Sequence, residues 1–324
     1  MDLRELSANV RNRIAIVLPY FGKLPKYFSL FLMSVEANPA FTLLLVTDCD
    51  LSGFKVPQNA RIMGASFEAM RDRVHRLVPQ ARISAPYKLC DYRPLYGLLF
   101  ADELRGYDFW GYCDADMLWG DLSKYVTDSL LDSHDKLFTH GHFTLYRNCP
   151  ATNRLPLEHA DAPCGLAMAM KTDLPCYFDE VGMAAIARRV GMRIYDNPDF
   201  ADISPAKYRL SLAPICKQEN KAGQRFYWSR GRVVRRSARD AEDEFMYIHL
   251  QKRQMKVSVD PAVDGEWEIR PNELCVPDAP VRHGIQELVA AMRQEAGFQL
   301  SRIKRLSPER VRLSFQIKRL RAEL

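Results

Sequence analysis

Tyr107-Asp108-Phe109-Trp110-Gly111-Tyr112-Cys113-Asp114-Ala115-Asp116-Met117-Leu118-Trp119-Gly120-Asp121-Leu122 opens as an apolar, aromatic-rich run of strand length and closes on two acids separated by one small residue. A buried strand delivers carboxylates to a sheet edge in this way. Alternate residues of an extended chain point to the same side, so Asp114 and Asp116 present two carboxylates towards one point while Ala115 faces away. Two adjacent negative charges repel, and a hard divalent cation such as Mg or Mn relieves that repulsion. The alternative for any bare Asp-x-Asp is a solvated turn. Here the apolar strand in front of the pair, the turn residue Gly120 and the capping residue Asp121 behind it favour a site.

Working outward, apolar runs and helical patterns alternate. Ile14 to Leu18, Phe41 to Thr47, Arg61 to Ala65 and Lys136 to Thr139 read as further strands, and the order predicts an α/β fold built on a mostly parallel sheet flanked by helices. Pro19, Tyr20 and Phe21 then fall at the carboxyl end of the first strand, the edge where open α/β sheets bind ligands, so the two aromatics either stack on a base or pack in the core. Asp48 follows the second strand. Lys88 and Arg93 precede a helical pattern beginning at Leu95 and form a candidate phosphate site, with Asp91 either part of it or the cap of that helix. His140 and His142 alternate as strand residues do, and either ligate a metal or contact substrate and neighbouring structure. Phe226-Tyr227-Trp228 and Arg232 to Arg235 predict an antiparallel pair turning at Ser229-Arg230-Gly231, a smaller subregion beside the main sheet. His249 lies on an apolar stretch with Lys252 and Arg253 beside it, cations suited to offsetting phosphate charge.

The segments Ile16 to Gly22, Tyr87 to Pro94, Asp114-Ala115-Asp116 and Phe245 to Arg253, in that order, resemble GT-A type glycosyltransferases. More narrowly, the chain looks like an uncharacterised bacterial group associated with surface-polysaccharide synthesis, over roughly residues 13 to 255. The resemblance implies a GT-A-like, Rossmann-like fold and a metal-dependent transfer of a sugar from a nucleotide-sugar to a carbohydrate or lipid-linked acceptor. It implies Asp114, Asp116 and His249 as ligands of Mn or Mg. On the donor side it implies Pro19, Tyr20, Phe21, Thr47, Asp48, Lys88, Asp91, Arg93, Asp114, Lys252 and Arg253. Glu158 and Asp161 fall where such enzymes present acceptor-side residues and are the candidate catalytic bases. The implied division is a lead over residues 1–12, a nucleotide-sugar half over 13–135, an acceptor half over 136–260 and a C-terminal extension over 261–324. Two other readings compete: an aspartate-dependent phosphatase, which the absence of Thr two residues after Asp116 disfavours, and a nucleotide-sugar-binding protein without catalysis.

Composition bounds these readings. The chain has 324 residues, 47% apolar and 27% charged, and its eight cysteines show no Cys-x-x-Cys pair, which predicts reduced thiols and neither a disulfide framework nor a zinc site. No run reaches the roughly 20 apolar residues that span a bilayer, and the N-terminus lacks a signal-peptide core, so a cytoplasmic protein is expected. The formal charge of +6 is concentrated in the tail: from Gly297 to Leu324 eight Lys and Arg face only Glu309 and Glu323. A near-neutral body argues against nucleic acid as partner. No Gly-x-Gly-x-x-Gly or Gly-x-x-x-x-Gly-Lys loop is present, which excludes the dinucleotide and P-loop readings. In the tail, Leu300, Ile303 and Leu306 recur at helical spacing, while Val311, Leu313, Phe315 and Ile317 alternate and fit strand or helix. An apolar stripe bordered by cations suits peripheral contact with the inner face of a membrane through residues 297–324, or packing on the body or a second subunit.

Overall fold

A computed structural model describes residues 11–237, 241–260, 265–277, 285–304 and 306–323. It is a mixed α/β structure whose largest sheet is mostly parallel and flanked by helices, a Rossmann-like arrangement. Strands β1 (Ile14–Pro19), β2 (Phe41–Thr47), β3 (Ala60–Gly64) and β4 (Phe109–Cys113) run parallel in the order β3-β2-β1-β4, as the apolar runs predict. β1 is buried along nearly its whole length and β4 throughout, as expected of strands covered on both faces. Gly111 in β4 is obligatory: a Cβ there would lie 2.1 Å from the Thr144 carbonyl oxygen.

After the two acids the chain does not turn at once. Met117–Trp119 forms a short strand, β5, and Asp121 then caps the single 3-10 turn Leu122–Lys124, accepting from the Ser123 amide. β6 (Lys136–Leu137) is shorter than expected because Phe138 takes a left-handed φ of 66°. β7 (Phe143–Arg147) runs antiparallel to β4 and β6, and β8 (Ile194–Tyr195) closes the seven-stranded sheet at its edge.

β9 (Ala201–Asp202) leads to the antiparallel hairpin of β10 (Arg225–Ser229) and β11 (Arg232–Arg236), turning where the sequence predicts. The hairpin belongs to a six-stranded sheet with β12 (Asp243–Phe245), β14 (Lys256–Ser258), β15 (Glu266–Arg270) and β16 (Glu273–Cys275). Two strands of that sheet thus lie beyond residue 260. Trp228 stacks on Trp267 with ring centroids 4.2 Å apart and donates its indole N–H to the Trp119 carbonyl, which fastens this sheet to β5. β13 (Tyr247–His249) sits between β5 and β9 in a third, three-stranded sheet.

Of the helical pattern expected from Leu95, only a single α turn forms, Tyr96–Leu99, preceded by a 3-10 stretch, Pro86–Leu95, that holds Pro94. A π turn, Phe178–Gly182, is introduced by left-handed Tyr177 and continues as the α-helix Met183–Val190. Both halves of the tail are helical, Ile285–Lys304 and Pro308–Glu323. Leu313, Ile317 and Leu320 of the last helix pack against the body beside Cys164 and Val181, so this half of the tail follows the packing alternative. The eight cysteines are free thiols.

Candidate functional site

The three-stranded sheet assembles the acids. β5 begins at Met117, opposite His249 of β13, so Asp116 arrives at the end of β13. On the other side of β13, His249 is in register with Asp202 of β9. Asp114, Asp116 and His249 consequently present ligand atoms that all lie within 4.8 Å of one another, and His142, Asp202 and His249 form a second such group. His249 Nε2 is 3.3 Å from Asp116 Oδ1 and 3.7 Å from Asp114 Oδ2, while its Nδ1 lies 2.8 Å from Asp202 Oδ1.

These distances define the electrostatics. Burial alone would lower the His249 pKa, but Asp116, with help from Asp202 and Asp114, pushes it up to about 10. Burial opposes ionisation of Asp114, and the charges of Arg93 and His249 outweigh it and hold the carboxyl below its ordinary range. Asp202 is likewise held low: burial works against it, and the hydrogen bond from His249 prevails. His142 is driven well below the usual imidazole value by burial and by the neighbouring His249 charge; its Nδ1 meets the Tyr247 hydroxyl at 2.8 Å and its buried Nε2 has no protein partner. With Nδ1–H committed to Asp202, His249 directs Nε2 at the two acids, and the resulting set of two carboxylates and one imidazole fits a hard or borderline divalent cation.

The cluster forms one wall of a cavity of about 830 Å³ at the carboxyl ends of β1 and β4. Pro19, Tyr20 and Phe21 line it, as the sheet-edge rule predicts. Phe21 is also packed on Phe67, with ring centroids 5.7 Å apart, and the Tyr20 hydroxyl donates to the Lys23 carbonyl. Lys252 lines it beside the acids: its backbone N–H donates to Asp116 Oδ2, and its ammonium lies 4.0 Å from the Tyr87 ring centroid. Gln251 and Lys252 both hold left-handed backbone conformations, φ 53° and 61°, and this turn aims the Lys252 amide at Asp116.

Several expected contacts are made elsewhere. Lys88 and Asp91 form a buried pair at 2.8 Å, and Asp91 accepts from the Cys176 and Phe178 amides, so it neither caps the following helix nor faces the cavity. Burial explains this: a lysine inside the fold needs a counter-charge, and the segment 176–178 needs an acceptor. Arg93 does line the cavity, but its guanidinium is engaged with Asp114, Asp179 and the Gly141 carbonyl instead of standing open for phosphate. Arg253 also lines the cavity, but its guanidinium donates to the carbonyls of Ser204, Lys207 and Tyr208 and serves as a loop clamp. Thr47 is buried, Asp48 is exposed at the end of β2, and neither is part of the cavity wall. Glu158 and Asp161 are also off the wall; Asp161 is exposed and paired with Arg189 at 2.9 Å. His140 lies beside His142, 4.0 Å from Asp196 and outside both ligand groups.

The sequence reading missed Asp202, Asp179 and Glu180. Asp202 sits in the apolar run Phe200-Ala201-Asp202-Ile203, a buried acid of the same kind as Asp116, and that context is the signal that could have found it. Asp179 and Glu180, on the π turn, also line the cavity, and the Arg93 guanidinium bridges Asp179 to Asp114. Burial, reinforced by Glu180, raises the Asp179 carboxyl to about 8 in spite of Arg93. Among the described residues, no helix is long and apolar enough to cross a membrane.

Nothing among curated proteins matches the chain. Among solved structures it is similar to the glycosyltransferase GlyE of Streptococcus pneumoniae TIGR4, at 10% identity and a TM-score of 0.30, over 59% of this chain and 46% of that one. The chain therefore spans less than half of that enzyme's length, and a likeness so slight carries no argument about activity. A family model covers most of the sequence, residues 16–277, and by that match the chain belongs to the family of unknown function DUF6625.

Proposed function

We propose that the protein is a metal-dependent glycosyltransferase of GT-A type, moving a sugar from a nucleotide-sugar donor to a carbohydrate or lipid-linked acceptor. The observation that carries this reading is the convergence of Asp114, Asp116 and His249 on one point at the carboxyl edge of a parallel sheet, inside a cavity large enough for a nucleotide-sugar. In this reading residues 13–135 supply the donor half of the cavity and residues 136–260 the acceptor half.

Asp114, Asp116 and His249 would hold Mn or Mg, which supplies charge neutralisation for a diphosphate leaving group. Lys252, whose ammonium lies over the Tyr87 ring at the cavity wall, adds a cation on the same side, and Lys23 and Lys26 add two more near β1. Asp202 keeps the His249 ring oriented. Transfer breaks the bond from the anomeric carbon to the diphosphate oxygen and forms one to an acceptor hydroxyl oxygen, whose proton needs an acceptor group. Glu180, on the cavity wall, takes that role in place of Glu158 and Asp161.

A thermal-shift series with nucleoside diphosphates, with and without Mn, tests the donor site, and a nucleotide-sugar hydrolysis panel tests the chemistry. Stabilisation that requires both nucleotide and Mn is expected. A protein indifferent to every nucleoside diphosphate in the presence of Mn is not this enzyme.

A further inference from the structure

The helix Ile285–Lys304 is mounted with its apolar side outward. Ile285, Leu288, Val289 and Met292 recur at three- and four-residue steps, and Leu300 and Ile303 fall on the same face two turns further on, beyond the small Ala296. That face is exposed from end to end, with Ile285 80%, Met292 63% and Ile303 61% accessible. The opposite stripe, Ala291, Gln294, Phe298 and Ser301, is the partly buried one, and Gln294 Nε2 donates to the Pro205 carbonyl oxygen at 3.2 Å. The ordinary polarity of a surface helix is thus reversed: a mixed, largely small or polar stripe lies towards the body, and along the roughly 30 Å helix the large apolar side chains face out in two groups, Ile285 to Met292 and Leu300 to Ile303.

Beside them on this helix Arg293, Arg302 and Lys304 are exposed, with Glu295 an exposed acid between them, and none of these three cations has a carboxylate within ion-pair distance among the described residues. The following helix cannot fold over the stripe, because it is itself fixed to the body: Leu313 and Ile317 pack at Val181, Glu309 accepts from the Thr172 hydroxyl at 2.7 Å, and the Glu323 carbonyl accepts from Arg188 at 2.6 Å.

We infer that the outward face of Ile285–Lys304 is a docking surface for an anionic lipid bilayer, on which the helix lies in the plane of the interface. The apolar stripe enters the headgroup boundary while the flanking cations meet lipid phosphates, which is the chemistry of an interfacial helix. A second copy of the chain is the poorer occupant, since two such faces would bring together two tails that each carry, from Gly297 to Leu324, eight cations against two acids. This inference is independent of what the cavity binds.

Sedimentation of the full chain with vesicles tests it, using phosphatidylcholine alone or mixed with phosphatidylglycerol. Binding to the mixed vesicles only is expected, weakening as salt rises. Met292→Asp with Ile303→Asp, and separately Arg302→Glu with Lys304→Glu, are each expected to reduce partitioning at least about tenfold. All four side chains are exposed, so both variants should keep the parent's circular dichroism and melting temperature. Three results would overturn the proposal: no partitioning, equal partitioning on neutral vesicles, or variants that sediment like the parent. Light scattering supplies a fourth: a dimer that Met292→Asp dissociates, without vesicle binding, gives the surface to a second copy.

Discussion

Asp202 does its work through another residue. Its carboxylate fixes the proton of His249 on Nδ1 and so leaves Nε2 to face Asp114 and Asp116. Asp202→Asn is expected to keep the fold and to weaken Mn binding roughly 10- to 100-fold, as loss of such orienting partners usually does; titration calorimetry reads this directly. Asp116→Asn removes a ligand and should abolish Mn-dependent stabilisation by nucleoside diphosphates. Asp179 offers a pH test. Its carboxyl holds a proton in the folded chain up to about pH 8, far above an unfolded aspartate, so its contribution is full below the unfolded pKa and lost as pH rises through 8. Urea midpoints of the parent should fall between pH 5 and 8, and Asp179→Asn should flatten that fall. At this scale the sequence was half legible. Asp114 and Asp116 stood out because an apolar strand ran straight into them. Lys88, Asp91 and Arg253 looked equally available, yet burial assigned each to protein partners, and a linear sequence does not say which backbone groups will consume a charge.

Among the elements, long apolar strands were readable and short ones were not. β1, β2 and β4 announce themselves by five consecutive buried residues each. β9 and β13 have two and three residues, too few for any periodicity, yet they bring Asp202 and His249 together. Part of the site was hidden for that reason. The Lys88–Asp91 pair belongs to the same scale, since it binds the 3-10 stretch Pro86–Leu95 to the segment 176–178 that carries the cavity's acidic wall. Asp91→Ala leaves a buried ammonium and two buried amides unpaired and should cost about 3 to 5 kcal/mol in chemical denaturation. Mn affinity of the molecules that remain folded should hardly change, because neither residue touches the ligand cluster.

For the molecule as a whole, a large parallel sheet supplies one edge of the cavity and a three-stranded sheet completes it, with the six-stranded sheet fastened behind through Trp228 and Trp119. That fastening has an optical consequence. All four tryptophans, Trp110, Trp119, Trp228 and Trp267, are buried, and none lines the cavity. Intrinsic fluorescence should therefore stay almost silent when a ligand enters. The near-parallel indoles of Trp228 and Trp267, inclined by only 10°, form a coupled chromophore pair whose exciton band in circular dichroism reports the joining of β10 to β15. Trp267→Phe should erase that band, which lies at the long-wavelength edge of the far ultraviolet, while leaving the peptide signal at shorter wavelengths nearly intact, giving the second sheet a colour of its own by which its assembly can be timed apart from the rest.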